Sequence, residues 1–406
     1  MVVTMIIKHM YITTLIFPVA HYISDWRPVT RTFHLIVFLL TDSGVVGIGE
    51  GTPYWSNIAE DYAKTLSLAK KIRELDLEDS LDVLRTGEYE EFKKRERVSY
   101  GAYLALESAV VHALSHSKRV GYEAETLGGV YRTEIPIAYT IFLSHPKTMA
   151  RKLESAIKSG YKHVKLKIPC NLEELEKQLQ VFDLTRKHYS EVEVTLRADA
   201  NECFSTFEQA ERALLIMEKY GVNIVEQPMP RDNLKDIAKL RKKFHPSLEI
   251  MLDESLRKPS DIELFASMEV ADIVNFHPSK LGCLTITRET ILKAQKLGMK
   301  ANIGSALMTE IGLSHYLNLA ASIPHLDYPL EEPGLYNVYG YGITQNPPEV
   351  VNGGIILRNV DILDIDYSMV KKFSMTSLFR EHLLMLVGKV HRSLVKNIKH
   401  FKNIKH

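Results

Sequence analysis

Strand-like apolar runs alternate with helix-like stretches along the middle of this chain, and five of the runs end at or next to a charged residue. Strict alternation of strand and helix predicts parallel strands joined by crossover helices. The C-terminal ends of such strands point to one face, where these folds build their sites. The five charged residues are Lys167, Asp199, Glu226, Asp253 and Lys280. We therefore expect two amines and three carboxylates to meet at one rim of a barrel.

At 406 residues the chain is long enough for a barrel and a second domain. The barrel strands are expected near residues 135–142, 163–168, 194–200, 222–227, 249–254, 271–276, 300–304 and 325–328. The preceding residues contain a predicted β-hairpin at 32–50 and then helical periodicity, which is typical of an α+β unit. We therefore predict an α/β fold. Its parts are an α+β capping domain over 1–130, a (β/α) barrel catalytic domain over 131–360, and a C-terminal segment over 361–406 that partly packs on the capping domain and ends in a basic extension.

Composition argues against several classes of partner. The chain has 51 basic and 50 acidic residues, so its net charge gives no reason to expect nucleic acid or an anionic membrane as a partner. Lys8 and His9 interrupt the apolar N-terminal run, which favours a strand over a signal peptide or a membrane segment. Cys170, Cys203 and Cys283 leave an odd count, which favours a reducing compartment, by default the cytoplasm, over a disulfide framework.

The three acids at successive strand ends indicate a metal site. Carboxylates that converge without a cation repel one another and raise their own pKa values, so a divalent metal between Asp199, Glu226 and Asp253 resolves the conflict. Oxygen ligands favour Mg²⁺, with Mn²⁺ as an alternative. Because Mg²⁺ takes about six oxygens, three carboxylates leave about three places for water and substrate oxygens.

The lysines indicate proton transfer. Lys165 and Lys167 are two residues apart in one predicted strand, so both side chains lie on the same face. Two ammonium groups this close disfavour each other's charge, which makes a neutral amine available as a base. Lys280 follows the sixth strand, across the barrel mouth from the second. It would therefore face the other side of a bound carbon acid.

These motifs resemble those of the enolase superfamily, in the muconate lactonizing enzyme and mandelate racemase family, on its muconate cycloisomerase branch. The matching motifs are Lys165-x-Lys167, Asp199-x-Asn201, Glu226-Gln227-Pro228, Asp253-Glu254-Ser255, Lys280-Leu281-Gly282 and the Thr126-Leu127-Gly128-Gly129 junction. The resemblance extends from about residue 5 to 358 and implies an enolase-type (β/α) barrel with an N-terminal α+β capping domain. It also implies Mg²⁺-dependent removal of a proton α to a carboxylate, giving a metal-stabilised enediolate.

By the same resemblance, Asp199, Glu226 and Asp253 are the metal ligands. Lys167 and Lys280 are the acid and base on the two faces of the substrate, and Lys165 tunes Lys167. A base on each face permits racemisation or epimerisation of an amino-acid derivative or a dipeptide, whereas one lysine suffices for cycloisomerisation of a muconate-like diacid. The expected partner is a small-molecule carboxylate, and a homo-oligomer fits because oligomers are common among relatives.

Four residues are expected to bind the substrate: Trp26, Tyr54, Asn201 and Asp327. Trp26 and Tyr54 lie in first-domain loops that, by the resemblance, cap the barrel. Asn201 closes the Asp199-x-Asn201 motif. Asp327 is the only acid of His325-Leu326-Asp327. It corresponds to the second acid of the Asp-x-Asp with which dipeptide epimerases pair the substrate ammonium group, so the match is partial.

Three other functions are weighed against this one. An acid-sugar dehydratase of the same superfamily would use a histidine base, and His277 lies near the sixth strand, but Lys280 occupies the expected base position. An inactive barrel that serves as a binding protein would not need the five charged residues, all of which are present. A two-carboxylate glycosidase on the same barrel leaves both lysines unexplained.

Overall fold

The computed structural model describes residues 4–19, 30–54, 56–86, 99–332, 342–358 and 364–374. The N-terminal sheet is antiparallel and consists of β1 (Ile7–Pro18), β2 (Arg31–Thr41) and β3 (Val46–Gly51), paired in chain order. The predicted hairpin is confirmed as the pair β2 and β3, and the apolar N-terminal run forms β1. No helix in these ranges is long and apolar enough to cross a membrane.

Helices follow the sheet, as the sequence predicts for an α+β unit. They are α1 (Ile58–Ile72), α2 (Leu77–Arg85), α3 (Tyr100–Lys118) and α4 (Glu123–Leu127). The side chain of Asn57 accepts hydrogen bonds from the backbone at the start of α1, and Glu60 bonds back to the Asn57 N–H. This capping box satisfies N–H groups that the first turn of a helix leaves without partners.

Glycines let α3 pack directly on β3. Gly47, Gly49 and Gly51 alternate along the strand, so all three face the helix. A Cβ atom added to them would lie 2.1, 2.2 and 1.9 Å from backbone oxygens of α3, a separation that no side chain tolerates. The opposite face of β3 carries Ile48 and Glu50, which point towards the barrel. This short strand therefore joins the two domains.

Eight parallel strands form the barrel, and the predicted fold class is confirmed. They are β4 (Glu134–Ile141), β5 (His163–Lys167), β6 (Thr195–Asp199), β7 (Ile224–Glu226), β8 (Glu249–Leu252), β9 (Ile273–Phe276), β10 (Lys300–Ile303) and β11 (Leu330–Glu331). The strands β4 to β10 pair in chain order, and β11 pairs with β4. The prediction of the eighth strand at 325–328 is wrong, because the residues that pair with β4 are 330 and 331.

The helices around the barrel alternate with its strands. They are α5 (Pro146–Lys158), α6 (Leu172–His188), α7 (Phe207–Lys219), α8 (Leu234–Phe244), α9 (Asp261–Met268), α10 (Pro278–Leu281), α11 (Leu284–Lys296) and α12 (Glu310–Ser322). Gly160, Gly221 and Gly298 follow α5, α7 and α11 with φ of +82°, +68° and +86°. Glycine adopts this left-handed conformation without strain, which ends the helices where the sequence predicts.

The last described segments pack against both domains. A hairpin of β12 (Val350–Val351) and β13 (Gly354–Ile356) extends the sheet beside β4. The helix α13 (Tyr367–Phe373) lies against the N-terminal sheet, where the rings of Phe17 and Phe373 are 4.5 Å apart. The predicted basic extension falls in 375–406, outside the described residues.

Two buried carboxylates of the capping domain hold the barrel segments that follow its sixth and seventh strands. Glu50 accepts hydrogen bonds from the backbone of Thr309 (2.9 Å) and Gly312 (2.8 Å), at the start of α12. Glu107 of α3 accepts from the backbone of Leu284 (2.6 Å) and Thr285 (3.1 Å), at the start of α11. Each carboxylate thus caps a helix N-terminus across the domain interface.

Replacing Glu107 with alanine is expected to destabilise the protein by about 2–3 kcal/mol, because it removes a cap and leaves buried backbone donors unpaired. The measurement is the midpoint of unfolding in urea, monitored by circular dichroism. The matched control is Glu78→Ala in α2, since Glu78 is 61% exposed and pairs with Lys118 on the surface. The control is expected to change stability by less than about 0.5 kcal/mol. Equal midpoints for the two variants would show that the contacts of Glu107 across the domain interface do not stabilise the protein.

The expectation that the cysteines do not form disulfides is wrong. The structure pairs Cys170 with Cys203 in a disulfide, with Cα atoms 5.3 Å apart. The odd count gave no sign of this, because it leaves Cys283 outside the pair. Cys283 is buried at the start of α11.

Candidate active site

Register places the charged side chains side by side. The strands β5, β6 and β7 pair so that Lys167 is opposite Asp199 and Asp199 is opposite Glu226. Asp253 directly follows β8, and Lys280 lies in the short helix α10 after β9. The structure therefore brings all five residues to the C-terminal mouth of the barrel.

The lysines contact the carboxylates directly. The Nζ atoms of Lys165 and Lys167 lie 2.8 and 2.6 Å from the same oxygen, Asp199 Oδ2. Both amines therefore share one face of β5, as strand alternation predicts. On the other side of the mouth, Lys280 pairs with Asp253 Oδ1 and donates to the Asp253 carbonyl oxygen at 2.7 Å. Since β5 and β9 are four strands apart in a barrel of eight, the two lysine positions face each other across the mouth.

A second polar layer lies beneath the mouth and was not predicted. Arg197 of β6 pairs with Glu226 Oε2 at 3.2 Å and with Glu331. Asn275 of β9 donates to Glu226 at 2.9 Å and to Glu331 at 3.0 Å. Lys165 also lies 3.2 Å from Glu331. These side chains are nearly completely buried, so they fix the position of Lys165 and Glu226 from below.

The turn that carries Asp253 is held by one amide side chain. Gln227 Oε1 accepts hydrogen bonds from the backbone N–H of Asp253 (3.0 Å) and Ser255 (3.1 Å). Its Nε2 donates to Ser255 Oγ and to the Met229 carbonyl, both at 2.9 Å. The motifs Glu226-Gln227-Pro228 and Asp253-Glu254-Ser255 are therefore one structural unit, because the amide of the first organises the second.

Burial and neighbouring charge separate the carboxyl groups into two kinds. Burial raises the pKa of Glu226, to about 7, and the charge of Asp199 adds to the shift. Burial and the charge of Asp253 likewise raise the pKa of Glu254 to about 8. Burial also opposes ionisation of Asp199 and Asp253, but nearby lysines outweigh it and lower both pKa values. Nearby cations thus outweigh burial at Asp199 and Asp253, whereas burial outweighs them at Glu226 and Glu254.

Burial lowers the pKa of Lys165, but the charges of the surrounding carboxylates outweigh this effect. The charges of Asp199, Glu226 and Glu331 raise its pKa well above the ordinary value for lysine. Lys165 therefore carries a fixed positive charge. It can affect Lys167 only as a charged neighbour 2.8 Å from the shared carboxylate oxygen.

The donor set has the chemistry of a site for a hard divalent cation. Asp199, Glu226 and Asp253 offer only oxygen, which Mg²⁺ prefers. Within the described residues, the buried atom Glu254 Oε2 accepts no hydrogen bond, and Glu226 Oε2 has only the ion pair with Arg197 at 3.2 Å. Buried polar atoms are normally hydrogen-bonded. No group of three or more His, Cys, Asp or Glu side chains in the described ranges is arranged to hold a metal as it stands. Here the positive charge beside the acids comes from lysine and arginine.

Asn201 connects the base position to a further carboxyl group. Asn201 Oδ1 accepts a hydrogen bond from Lys167 Nζ at 2.7 Å, and its Nδ2 donates to Glu254 Oε1 at 3.0 Å. Because Glu254 fixes which end of the amide faces Lys167, it helps to position the amine. The structure therefore places Asn201 beside Lys167 at the mouth.

Tyr54 of the capping domain completes the site on the Lys280 side. Its ring lies 4.9 Å from Lys280 Nζ and 5.6 Å from the ring of His277. Burial raises the pKa of Tyr54 well above its ordinary value, and the charges of Asp253 and Glu254 act in the same direction. The phenol therefore stays neutral and covers the Lys280 ammonium group.

Replacing Tyr54 with alanine is expected to lower turnover about tenfold, because a cation held over an aromatic ring gains about 1–2 kcal/mol when desolvated. Tyr54→Phe keeps the ring and is expected to retain most of the activity. The measurement is kcat and KM for both variants. A phenylalanine variant as impaired as the alanine variant would assign the effect to the hydroxyl group instead.

One predicted substrate-binding residue, Asp327, lies away from the mouth of the barrel. Asp327 Oδ2 accepts hydrogen bonds from the Ala301 N–H (2.9 Å) and from Gln295 (2.7 Å). Ala301 is near the start of β10, so Asp327 lies at the N-terminal end of the barrel, opposite the mouth. The expectation that Asp327 binds substrate is wrong for this reason. Trp26 lies outside the described residues.

The capped barrel, with amines and carboxylates at the C-terminal ends of its strands, has the architecture of a barrel enzyme. Residues 148–360, slightly more than half of the chain, match the family model described as Enolase C-terminal domain-like. The chain belongs to this family and thus to the enolase superfamily, which the sequence motifs predicted.

Several curated relatives are isomerases by name. The chain is similar to an N-succinyl-L-Arg/Lys racemase of Bacillus cereus, with 23% identity over 71% of this chain and 76% of the relative. It is 27% identical to an L-Ala-D/L-Glu epimerase of Clostridium acetobutylicum over 73% of this chain and 81% of the relative. A chloromuconate cycloisomerase of Cupriavidus pinatubonensis is 24% identical over 78% of this chain and 84% of its own. The protein is therefore an isomerase of this superfamily.

Solved structures show the same fold over most of the chain. The N-succinyl Arg/Lys racemase of Bacillus cereus superposes with a TM-score of 0.79 at 19% identity, covering 92% of this chain and 99% of that one. A dipeptide epimerase of Enterococcus faecalis, in complex with Mg and the dipeptide L-Leu-L-Tyr, superposes with a TM-score of 0.77 at 19% identity, covering 89% and 99%.

Proposed function

We propose that this protein is a racemase or epimerase that removes the proton α to a carboxylate on one face and returns a proton on the other. The observation that carries this proposal is the placement of Lys167 and Lys280 on opposite sides of the barrel mouth, with the carboxylates between them. A single base would suffice for cycloisomerisation. A second amine on the far side is what the return of a proton to the other face requires.

The charge of the site supports a substrate that carries a carboxylate. Five carboxyl groups and four cationic side chains form the cluster; they are Asp199, Glu226, Asp253, Glu254, Glu331, Lys165, Lys167, Arg197 and Lys280. With all of them ionised the cluster is negative, and one divalent cation makes it positive. The combined site would then attract an anion.

The metal proposal follows from the donor set. Asp199, Glu226 and Asp253 would hold Mg²⁺, and Mn²⁺ has the same preference for oxygen. The cation would offset the second negative charge that develops on the substrate carboxylate as the α proton leaves. Support comes from the raised pKa of Glu226 and from the related dipeptide epimerase in complex with Mg.

The residues of the chain would divide the proton transfer between them. Lys167 would take the proton on the β5 side, held in place by Asn201. Lys280 would deliver a proton from the β9 side, beneath the ring of Tyr54. Lys165 stays charged and contributes positive potential at the carboxylate end. N-acylated amino acids and dipeptides are the first substrate classes to test, because related racemases and epimerases act on them.

The test is NMR of α-proton exchange in D₂O with Mg²⁺, across dipeptides, N-acylated amino acids, muconate-like diacids and sugar acids. Exchange with inversion on one compound is the expected result and would identify the substrate class. Lactone formation from a diacid without exchange would favour a cycloisomerase, and loss of water from a sugar acid would favour a dehydratase. Binding without turnover for every class would contradict the proposed activity.

A further inference from the structure

The disulfide between Cys170 and Cys203 lies directly beside the proposed base. It joins the segment after β5 to the segment after β6. Cys170 comes three residues after Lys167, and Cys203 comes two residues after Asn201. The bond therefore connects the two strand ends whose side chains, Lys167 and Asn201, are hydrogen-bonded to each other at 2.7 Å.

The turn that the disulfide closes is conformationally demanding. Asn201 and Glu202 have φ of +43° and +69°, a region that residues other than glycine adopt only when surrounding structure imposes it. Backbone hydrogen bonds from Glu202 N to Gln227 O (2.9 Å) and from Cys203 N to Ala200 O (3.0 Å) hold the turn. The disulfide is a covalent restraint on the same turn, so its reduction would remove one of the restraints that hold Asn201 beside Lys167.

The bond is within reach of a reductant. Cys170 and Cys203 are both only half-buried and lie in the segments that follow β5 and β6, at the barrel rim. Cys283 is 0% exposed. A thiol reagent can therefore act on the disulfide without first unfolding the barrel.

We propose that the pair Cys170 and Cys203 is a redox modification site whose reactant is a small dithiol, and that its reduction slows proton transfer at Lys167. One thiolate of the dithiol attacks a disulfide sulfur and forms a mixed disulfide with one protein cysteine. The second thiol of the same molecule then attacks the mixed disulfide and releases that cysteine as a thiol. The protein S–S bond breaks, two protein thiols form, and the dithiol becomes a cyclic disulfide, having given up two electrons and two protons. Lys280, on the opposite side of the mouth, is not restrained by this bond. The effect on Lys167 rests on the proposed function.

The experiment compares the oxidised protein, the dithiothreitol-reduced protein and two variants, Cys203→Ser and the control Cys283→Ser. Alkylation and peptide mapping first measure the disulfide itself. Amide hydrogen exchange of peptides covering 199–206 then measures the turn, with or without any activity. Finally, α-proton exchange is followed from each epimer separately, because each epimer presents its proton to one of the two lysines.

We expect the map to show a linked pair and reduction to speed amide exchange at 199–206. We also expect α-proton exchange to be about tenfold slower from one epimer only, because a misplacement of about 1 Å can cost about 10²-fold and a smaller displacement costs less. Cys203→Ser should behave like the reduced protein, and Cys283→Ser should respond like the parent.

Free thiols at both positions before reduction would overturn the proposal, as would unchanged amide exchange. Equal slowing from both epimers would also overturn it. If neither epimer exchanges its α proton, the result would count against the proposed function. The peptide map and the amide hydrogen exchange would still decide whether the redox site exists.

Discussion

Replacing Lys167 or Lys280 with alanine is expected to abolish epimerisation, with a loss of about 10²–10⁴-fold, the usual contribution of a general acid or base. The two losses should look alike for the complete reaction, since inversion needs a proton removed on one face and returned on the other. They should differ for the partial reaction. Each variant should still exchange the α proton of the epimer whose proton faces the remaining lysine.

The measurement is solvent deuterium incorporation from each epimer, with the complete reaction followed by optical rotation. The matched control is Lys293→Ala in α11, because Lys293 is half-exposed and pairs only with Glu263 among the described charges. Circular dichroism should show the same fold for all three variants. Exchange of both epimers by Lys280→Ala would show that Lys167 serves both faces, and the two-base mechanism would then be wrong.

Much of this site could be predicted because strand geometry is simple. Lys165 and Lys167 share a face because side chains alternate along a strand, and Asp199 and Glu226 are adjacent because parallel strands end at one rim. The same reasoning applies to Arg197, two residues before Asp199 on β6, and to Asn275 on β9. Strand alternation therefore allows both positions to be predicted from the sequence.

The eighth strand shows where local patterns fail. It contains only Leu330 and Glu331, and its position is set by pairing with β4, almost two hundred residues earlier in the chain. The stretch before it, including Asp327, alternates well enough to suggest a strand. A strand at 325–328 makes Asp327 the candidate site residue, whereas the observed strand carries Glu331, which pairs with Lys165 and Arg197.

Contacts between segments that are distant in the chain leave a weak pattern in the sequence or none. Glu50 and Glu107 are ordinary acids in a strand and a helix, and only the packed domains bring them to helix N-termini 259 and 177 residues away. The disulfide is an intermediate case. Lys167 and Asp199 are paired in register, so Cys170 and Cys203 follow paired residues by three and four positions, and their proximity follows once that register is known.

Replacing Glu226 with glutamine is expected to weaken Mg²⁺ binding at least about 100-fold, because ligand charge largely sets the affinity of oxygen sites. Glu226 is completely buried, and among the described residues its Oε2 has only the ion pair with Arg197 at 3.2 Å. Glutamine preserves the size of the side chain while removing its charge. The measurement is calorimetric titration with Mg²⁺, which does not require a known substrate.

The control is Glu249→Gln, at the start of β8 and therefore at the opposite end of the barrel from Asp253, where Glu249 contacts Lys300 and Tyr328. It removes a carboxylate of the same chemistry at a position that cannot reach the mouth, so its Mg²⁺ affinity should equal that of the parent. Equal affinity in Glu226→Gln as well would mean that lysine and arginine neutralise the acids permanently. The raised pKa of Glu226 would then reflect a buried ion network, and proton abstraction would depend on Lys165 for the positive charge that the proposal assigns to the metal.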